Sequence, residues 1–112
     1  MNSGQSVPSI SVRELSDRRQ AQDEPVVIDV RQAQEREFAS IGGLHMEMST
    51  IPERLAELES YRDQEIVVYC RSGARSANVV RFLQAQGFER ALNLHGGILA
   101  WSRDIDPQIP QY

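Results

Sequence analysis

One cysteine, two arginines, two serines and a glycine share the segment Cys70-Arg71-Ser72-Gly73-Ala74-Arg75-Ser76. Four residues separate Cys70 from Arg75. The apolar run Ile66-Val67-Val68-Tyr69 leads into this segment, and a helical pattern follows it. That placement predicts an exposed thiol in a tight loop with a helix N-terminus aimed at it. Gly73 can take a positive φ, so successive backbone N–H groups can turn inward as an anion-binding nest. A hydroxyl from Ser72 or Ser76 can add a further donor. The anion held there is the Cys70 thiolate, a persulfide sulfur carried on it, or an oxyanion substrate. All these features favour the thiolate, the reactive form of cysteine.

No Asp or Glu occurs in the loop, so it supplies no general acid for a leaving group. Sulfur transfer through a thiolate needs none, whereas phosphate-ester cleavage usually does. From Ile66 to Phe88 there are three arginines (Arg71, Arg75, Arg81) and no carboxylate, which predicts a positive patch around the thiol. Arg71 is read as a substrate-anion contact or a solvated side chain. Arg75 either braces the loop or holds the anion.

The elements that must position this loop follow from hydrophobic patterning. Ser9-Ile10-Ser11 reads as a short strand or helix cap before a helix from Val12 to Gln22. Val26 to Val30 and Ile66 to Tyr69 are continuous apolar runs of the kind found in buried parallel strands. Between them come a helical turn over 34–39, a weak strand over 44–48, and a helix from Pro52 to Ser60. Ser76 is the expected cap of a helix that ends at Gly87, with Val79, Val80 and Leu83 turned to the sheet. A strand over 91–94, a Gly96-Gly97 turn and a short helix with Trp101 follow. Residues 1–8 are expected as a flexible tail before one domain over 9–112, whose last residues, 106–112, are expected to be extended. Strands alternating with helices imply an α/β domain with a mainly parallel sheet. In such sheets ligands sit beyond the carboxyl ends of the strands, where both Cys70 and Asp29 fall. Asp29 is expected to accept hydrogen bonds there, in a structural role.

Composition narrows the functions further. The chain has 112 residues and a net charge of −4, which argues against a general nucleic-acid binder. All 12 basic residues are arginine, so lysine Schiff-base chemistry is unavailable. A single cysteine excludes an internal disulfide and a cysteine-rich zinc site. His45 and His95 have no companion ligands at metal spacing, so neither a metal nor a cofactor is expected. No segment has the length and apolarity of a membrane span or a signal-peptide core, and the expected compartment is cytoplasmic.

The residues Ile28-Asp29-Val30-Arg31, Glu37-Phe38, Ile66 to Ser76, Gly87-Phe88 and Asn93 to Trp101 together resemble the rhodanese family over nearly the whole chain. The resemblance implies a three-layer α/β fold with a five-stranded, mainly parallel sheet flanked by helices. It implies Cys70 as the residue that takes up sulfane sulfur as a persulfide and passes it to a thiophilic acceptor, as in thiosulfate sulfurtransferases. Arg71, Ser72, Gly73, Ala74, Arg75 and Ser76 would form its substrate-binding loop. Sulfurtransferase members use this shorter loop, and phosphatase relatives carry one residue more. Ile41-Gly42-Gly43 and the stretch from Gly96 through Asp106-Pro107 to Tyr112 are similar to rhodanese domains fused to molybdopterin and thiamine adenylyltransferases. A small anionic sulfur donor is the implied ligand, with a cysteine desulfurase or a ubiquitin-like sulfur carrier as protein partner. One departure stands out: Ser40-Ile41-Gly42-Gly43-Leu44-His45 replaces the Gly-His-Ile-Pro-Gly-Ala segment of many single-domain members.

Overall fold

The computed structural model describes residues 7–112. Its elements are β1 (Ser9–Ile10), α1 (Val12–Gln20), β2 (Val26–Asp29), α2 (Ala33–Phe38), β3 (Leu44–His45), β4 (Ile66–Tyr69), α3 (Ala74–Ala85), β5 (Ala91–Leu94) and α4 (Gly97–Asp104). The five strands form one parallel sheet in the order β1-β5-β4-β2-β3. Strand residues alternate between two cores. Ile28, Ile66 and Val68 join Val79, Val80, Leu83 and Phe88 on the α3 side. Val27, Val67, Tyr69 and Leu94 join Leu15, Ile98 and Trp101 on the side of α1 and α4. Burial on both faces is why Val26-Val27-Ile28 of β2 and the whole of β4 read as apolar runs.

Three expectations change in detail. The predicted helix over 52–60 is a 3-10 helix, Leu55–Tyr61. Its apolar residues Leu55, Leu58 and Tyr61 recur every third position, the period at which 3-10 side chains eclipse. Helix α3 starts at Ala74, two residues before the expected cap, with Gly73 at the N-cap and φ of 110°. Ser76 is inside that helix, and its hydroxyl serves Cys70 and Asn93 instead. At the other end, Gly87 N–H donates to Gln84 O and Phe88 N–H to Leu83 O at 3.1 and 2.9 Å. That pair is a Schellman motif, and Gly87 supplies its left-handed residue with φ of 95°.

The segment after α4 is the third change. Residues 106–112 turn back onto the protein: Ser102 Oγ donates to Ile109 O at 2.6 Å, and Ile109 and Tyr112 pack on the second core. At the N-terminal side, residues 1–6 of the expected tail lie outside the described residues, while Val7 packs against the first core and Pro8 O accepts from Asn93 N–H at 2.9 Å. Among the described residues, no helix is long and apolar enough to cross a membrane.

The pairing of Asp29 with Tyr69 puts Asp29 and Cys70 at the same end of the sheet. Asp29 has the expected structural role. It is fully buried and accepts from Arg31 Nε and Nη2 at 2.9 Å each, and from Arg36 Nη1 at 3.2 Å. Burial alone would raise the Asp29 pKa, but the Arg31 hydrogen bonds and charge pull it below the usual carboxylate range. Arg31, also fully buried, uses its remaining donors on Ala39 O at 2.7 Å and Tyr112 Oη at 2.9 Å. It thereby ties β2, the end of α2 and the C-terminal segment together. Removing one member of a buried pair strands the other charge, so Arg31→Met is expected to cost about 3–5 kcal/mol of unfolding free energy. The double substitution Asp29→Leu/Arg31→Met recovers part of that loss, and urea denaturation of the three proteins measures both effects.

Candidate active site

Strand β4 ends at Tyr69 and helix α3 begins at Ala74, so four residues carry the chain from sheet to helix. Two constraints shape this loop. Gly73 reverses the backbone into the left-handed region. The first amides of α4 grip the other side: Ile98 N–H donates to Cys70 O at 3.0 Å and Leu99 N–H to Arg71 O at 3.1 Å. The approach is possible because Gly97 lacks a side chain. A Cβ there would lie 2.7 Å from Cys70 O and closer still to Arg71 O. The Gly96-Gly97 turn therefore serves the cysteine loop directly.

The Cys70 thiol is buried, with 1% exposure, rather than exposed as the strand-end position predicted. Its Cβ turns inward beneath the loop, where Sγ borders the first core. Sγ accepts from Gly73 N–H at 3.1 Å and Ser76 N–H at 3.4 Å, and the Ser76 hydroxyl lies within donating reach at 3.3 Å. Burial pushes the thiol pKa up. The Ser76 hydroxyl and the amides of Ser76, Gly73 and Ser72 outweigh it and bring the pKa below the ordinary thiol value. The nest read from the sequence is present, and its amides point at the Cys70 sulfur. Ser72, Gly73 and Ala74 also border an open cleft of about 830 Å³, with Ser9, Asn93 and His95 on its other wall.

The two loop arginines are tethered rather than free. Arg75 pairs with both oxygens of Glu35, Nη1 to Oε2 at 2.8 Å and Nη2 to Oε1 at 2.9 Å. This bidentate pair favours the bracing alternative for Arg75. The Arg71 guanidinium stacks over the Tyr112 ring, 5.2 Å from its centroid, and Nε donates to Tyr112 O. Tyr112 Oη donates to Glu35 Oε1 at 2.8 Å, so one residue touches the tethers of both arginines. Phe38 adds an edge-to-face contact with Tyr112 at 5.8 Å. The acid-free patch expected from residues 66–88 is thus partly neutralised by a carboxylate from α2. His45 is an ordinary polar residue with Nε2 2.7 Å from Arg31 O, and no group of metal-ligating side chains occurs among the described residues.

Glu35, Tyr112 and Asn93 were not singled out as site residues by the sequence. Glu35 does carry a local role, because its carboxylate accepts from the Gln32 N–H at 3.0 Å at the start of α2. That contact marks a helix start and says nothing of Arg75. Asn93 donates from Nδ2 to Gly73 O at 3.2 Å and accepts at Oδ1 from Ser76 Oγ at 2.5 Å.

Family comparison agrees with this geometry. Residues 11–104 match the rhodanese-like domain. The chain belongs to that family. It is 39% identical over 98 residues to a sulfurtransferase of Allochromatium vinosum, covering 87% of this chain and 90% of that one. The rhodanese-related protein of Thermoplasma volcanium superposes with a TM-score of 0.76 at 32% identity, covering 93% and 96% of the two chains. The narrower resemblance is present as well. The adenylyltransferase and sulfurtransferase MOCS3-1 of Zea mays is 37% identical over 93 residues, which span 78% of this rhodanese-like chain and 20% of the maize protein.

Two predictions follow from the tethers. Its hydrogen bonds with Arg75, aided by the Gln32 amide and Tyr112, hold Glu35 down to about 2 despite partial burial. Glu35 therefore contributes its full stabilisation above about pH 4.5 and loses it as the pH falls toward 2, a term on the order of 2–3 kcal/mol. Glu35→Gln should flatten that part of the stability–pH curve, measured by denaturation between those limits. Tyr112→Phe keeps the ring on Arg71 and Phe38 but removes the hydroxyl that Arg31 and Glu35 share. It should cost about 1–2 kcal/mol in the same assay at neutral pH.

Proposed function

We propose that the chain is a sulfurtransferase in which Cys70 carries sulfane sulfur as a persulfide. The observation that carries this reading is the Cys70 sulfur itself, buried yet held by Gly73 N–H, Ser76 N–H and Ser76 Oγ within one loop. Such a site stabilises negative sulfur without supplying a proton. The nearby carboxylates support the same reading. Glu35 and Asp29 are both held below the usual carboxylate range by arginine, so neither is protonated at neutral pH to act as a general acid. That disfavours phosphate-ester cleavage and leaves sulfur transfer, where both nucleophile and leaving group are anions.

With thiosulfate as donor, the Cys70 thiolate attacks the outer sulfur. The Sγ–S bond forms as the sulfur–sulfonate bond breaks, and sulfite leaves with the electron pair. The loop amides of Ser72, Gly73 and Ser76 then face the persulfide. An acceptor such as cyanide or a thiolate attacks the outer sulfur, and the S–S bonding pair returns to Sγ. No redox partner is consumed. A protein persulfide can replace thiosulfate in the first half, and the likeness to an adenylyltransferase and sulfurtransferase supports a sulfur carrier protein as the acceptor in the second.

The assay is thiocyanate production from thiosulfate and cyanide. The native chain should turn over, and Cys70→Ser should fall to the uncatalysed background. Activity retained by Cys70→Ser would remove the mechanism. A native chain that is inactive with both thiosulfate and a protein persulfide would favour a non-catalytic, partner-docking role.

A further inference from the structure

Asn93 stands on β5 beside the cysteine loop, 8% exposed, and both ends of its amide are engaged. Nδ2 faces Gly73 O, which can only accept, so the amide orientation is fixed and Oδ1 must face Ser76. Ser76 Oγ lies 2.5 Å from Asn93 Oδ1 and 3.3 Å from Cys70 Sγ. A hydroxyl has one proton and cannot donate to both. With the proton on Asn93, Ser76 turns lone pairs toward the sulfur, which suits a neutral Sγ. With the proton on the sulfur, which suits a thiolate, Oδ1 is left buried without a donor, which is unfavourable.

We propose that Asn93 is a positioning residue that competes with Cys70 Sγ for the single Ser76 proton, and so favours the states in which Sγ is uncharged. These states are the resting thiol and the loaded persulfide, whose charge sits on the outer sulfur. When Sγ carries the charge, before attack and after the outer sulfur departs, the Ser76 hydroxyl swings from Oδ1 to Sγ. The O–H bond rotates and no proton enters or leaves Ser76. The assignment of the loaded state rests on the sulfurtransferase reading. The competition itself requires only ionisation of the thiol.

The test is the pH dependence of Cys70 alkylation by iodoacetamide in the native chain, Ser76→Ala, Asn93→Leu and the double variant. Removing the Ser76 hydroxyl should raise the midpoint by less while Asn93 competes for its proton. In the Asn93→Leu background the same change should raise it by about one pH unit, because there the hydroxyl is free to donate to the thiolate. Loss of the Gly73 contact is common to both members of that second pair and cancels. Equal shifts in the two backgrounds, or a larger shift with Asn93 present, would overturn the proposal. The native chain gives a second readout that does not depend on Asn93→Leu folding. The Asn93 side-chain carbonyl ¹³C resonance should titrate with the Cys70 midpoint, and by clearly less in Ser76→Ala. A carbonyl resonance that is flat in the native chain, or that titrates equally in both, would contradict it. Neither experiment involves sulfur transfer, so failure of persulfide formation and failure of the competition are separate results.

Discussion

A negatively charged sulfur inside an apolar core is tolerated only where fixed donors replace the water it has lost. On the proposed function, the structure is organised around meeting that condition whenever the Cys70 sulfur is charged. The donors are mostly backbone amides, which cannot move independently of the chain, so the loop must be held rigidly. Gly73 bends it, the first turn of α3 supplies the Ser76 amide, and the first amides of α4 hold the Cys70 and Arg71 carbonyls from behind. The Gly97 position shows how tight this fit is, because any side chain there would collide with the carbonyls being held.

Charge around the loop is arranged with the same economy. Arg31 is consumed by Asp29, and Arg75 by Glu35, so the site has fewer free cations than its arginine count implies. Arg71 is the loop arginine with no Asp or Glu partner among the described residues, and the ring and main-chain oxygen of Tyr112 set its orientation. The buried Asp29–Arg31 pair therefore acts at a distance. It fixes the end of α2, α2 presents Glu35, and Glu35 orders Arg75 beside the loop.

Much of this was legible in the sequence. The strands β2 and β4 could be read because burial on both faces leaves an apolar run, and the cysteine loop because glycine, serine and arginine crowd between a strand and a helix. The structural role of Asp29 followed from its place at a strand end. What escaped depends on contacts between distant positions or on side-chain direction. A strand-end cysteine can point outward or inward, and only the packing of the loop decides that Cys70 points in. Arg75 and Glu35 are 40 positions apart, and Arg31 and Tyr112 are 81 apart. No local pattern announces either pair, so residues 106–112, with their two prolines, read as an extended tail. The 3-10 segment escaped for a subtler reason, since Leu55 and Leu58 alone fit a helical face as well as a three-residue period.

The central claim is that Cys70 is a sulfur carrier held ready by its own loop. Intact-mass measurement of the native chain after brief exposure to thiosulfate, before and after cyanide, tests it most directly. The account predicts one added sulfur on Cys70 that cyanide removes completely. A chain whose mass is unchanged by thiosulfate and by a protein persulfide donor, or an adduct that cyanide leaves in place, would contradict it.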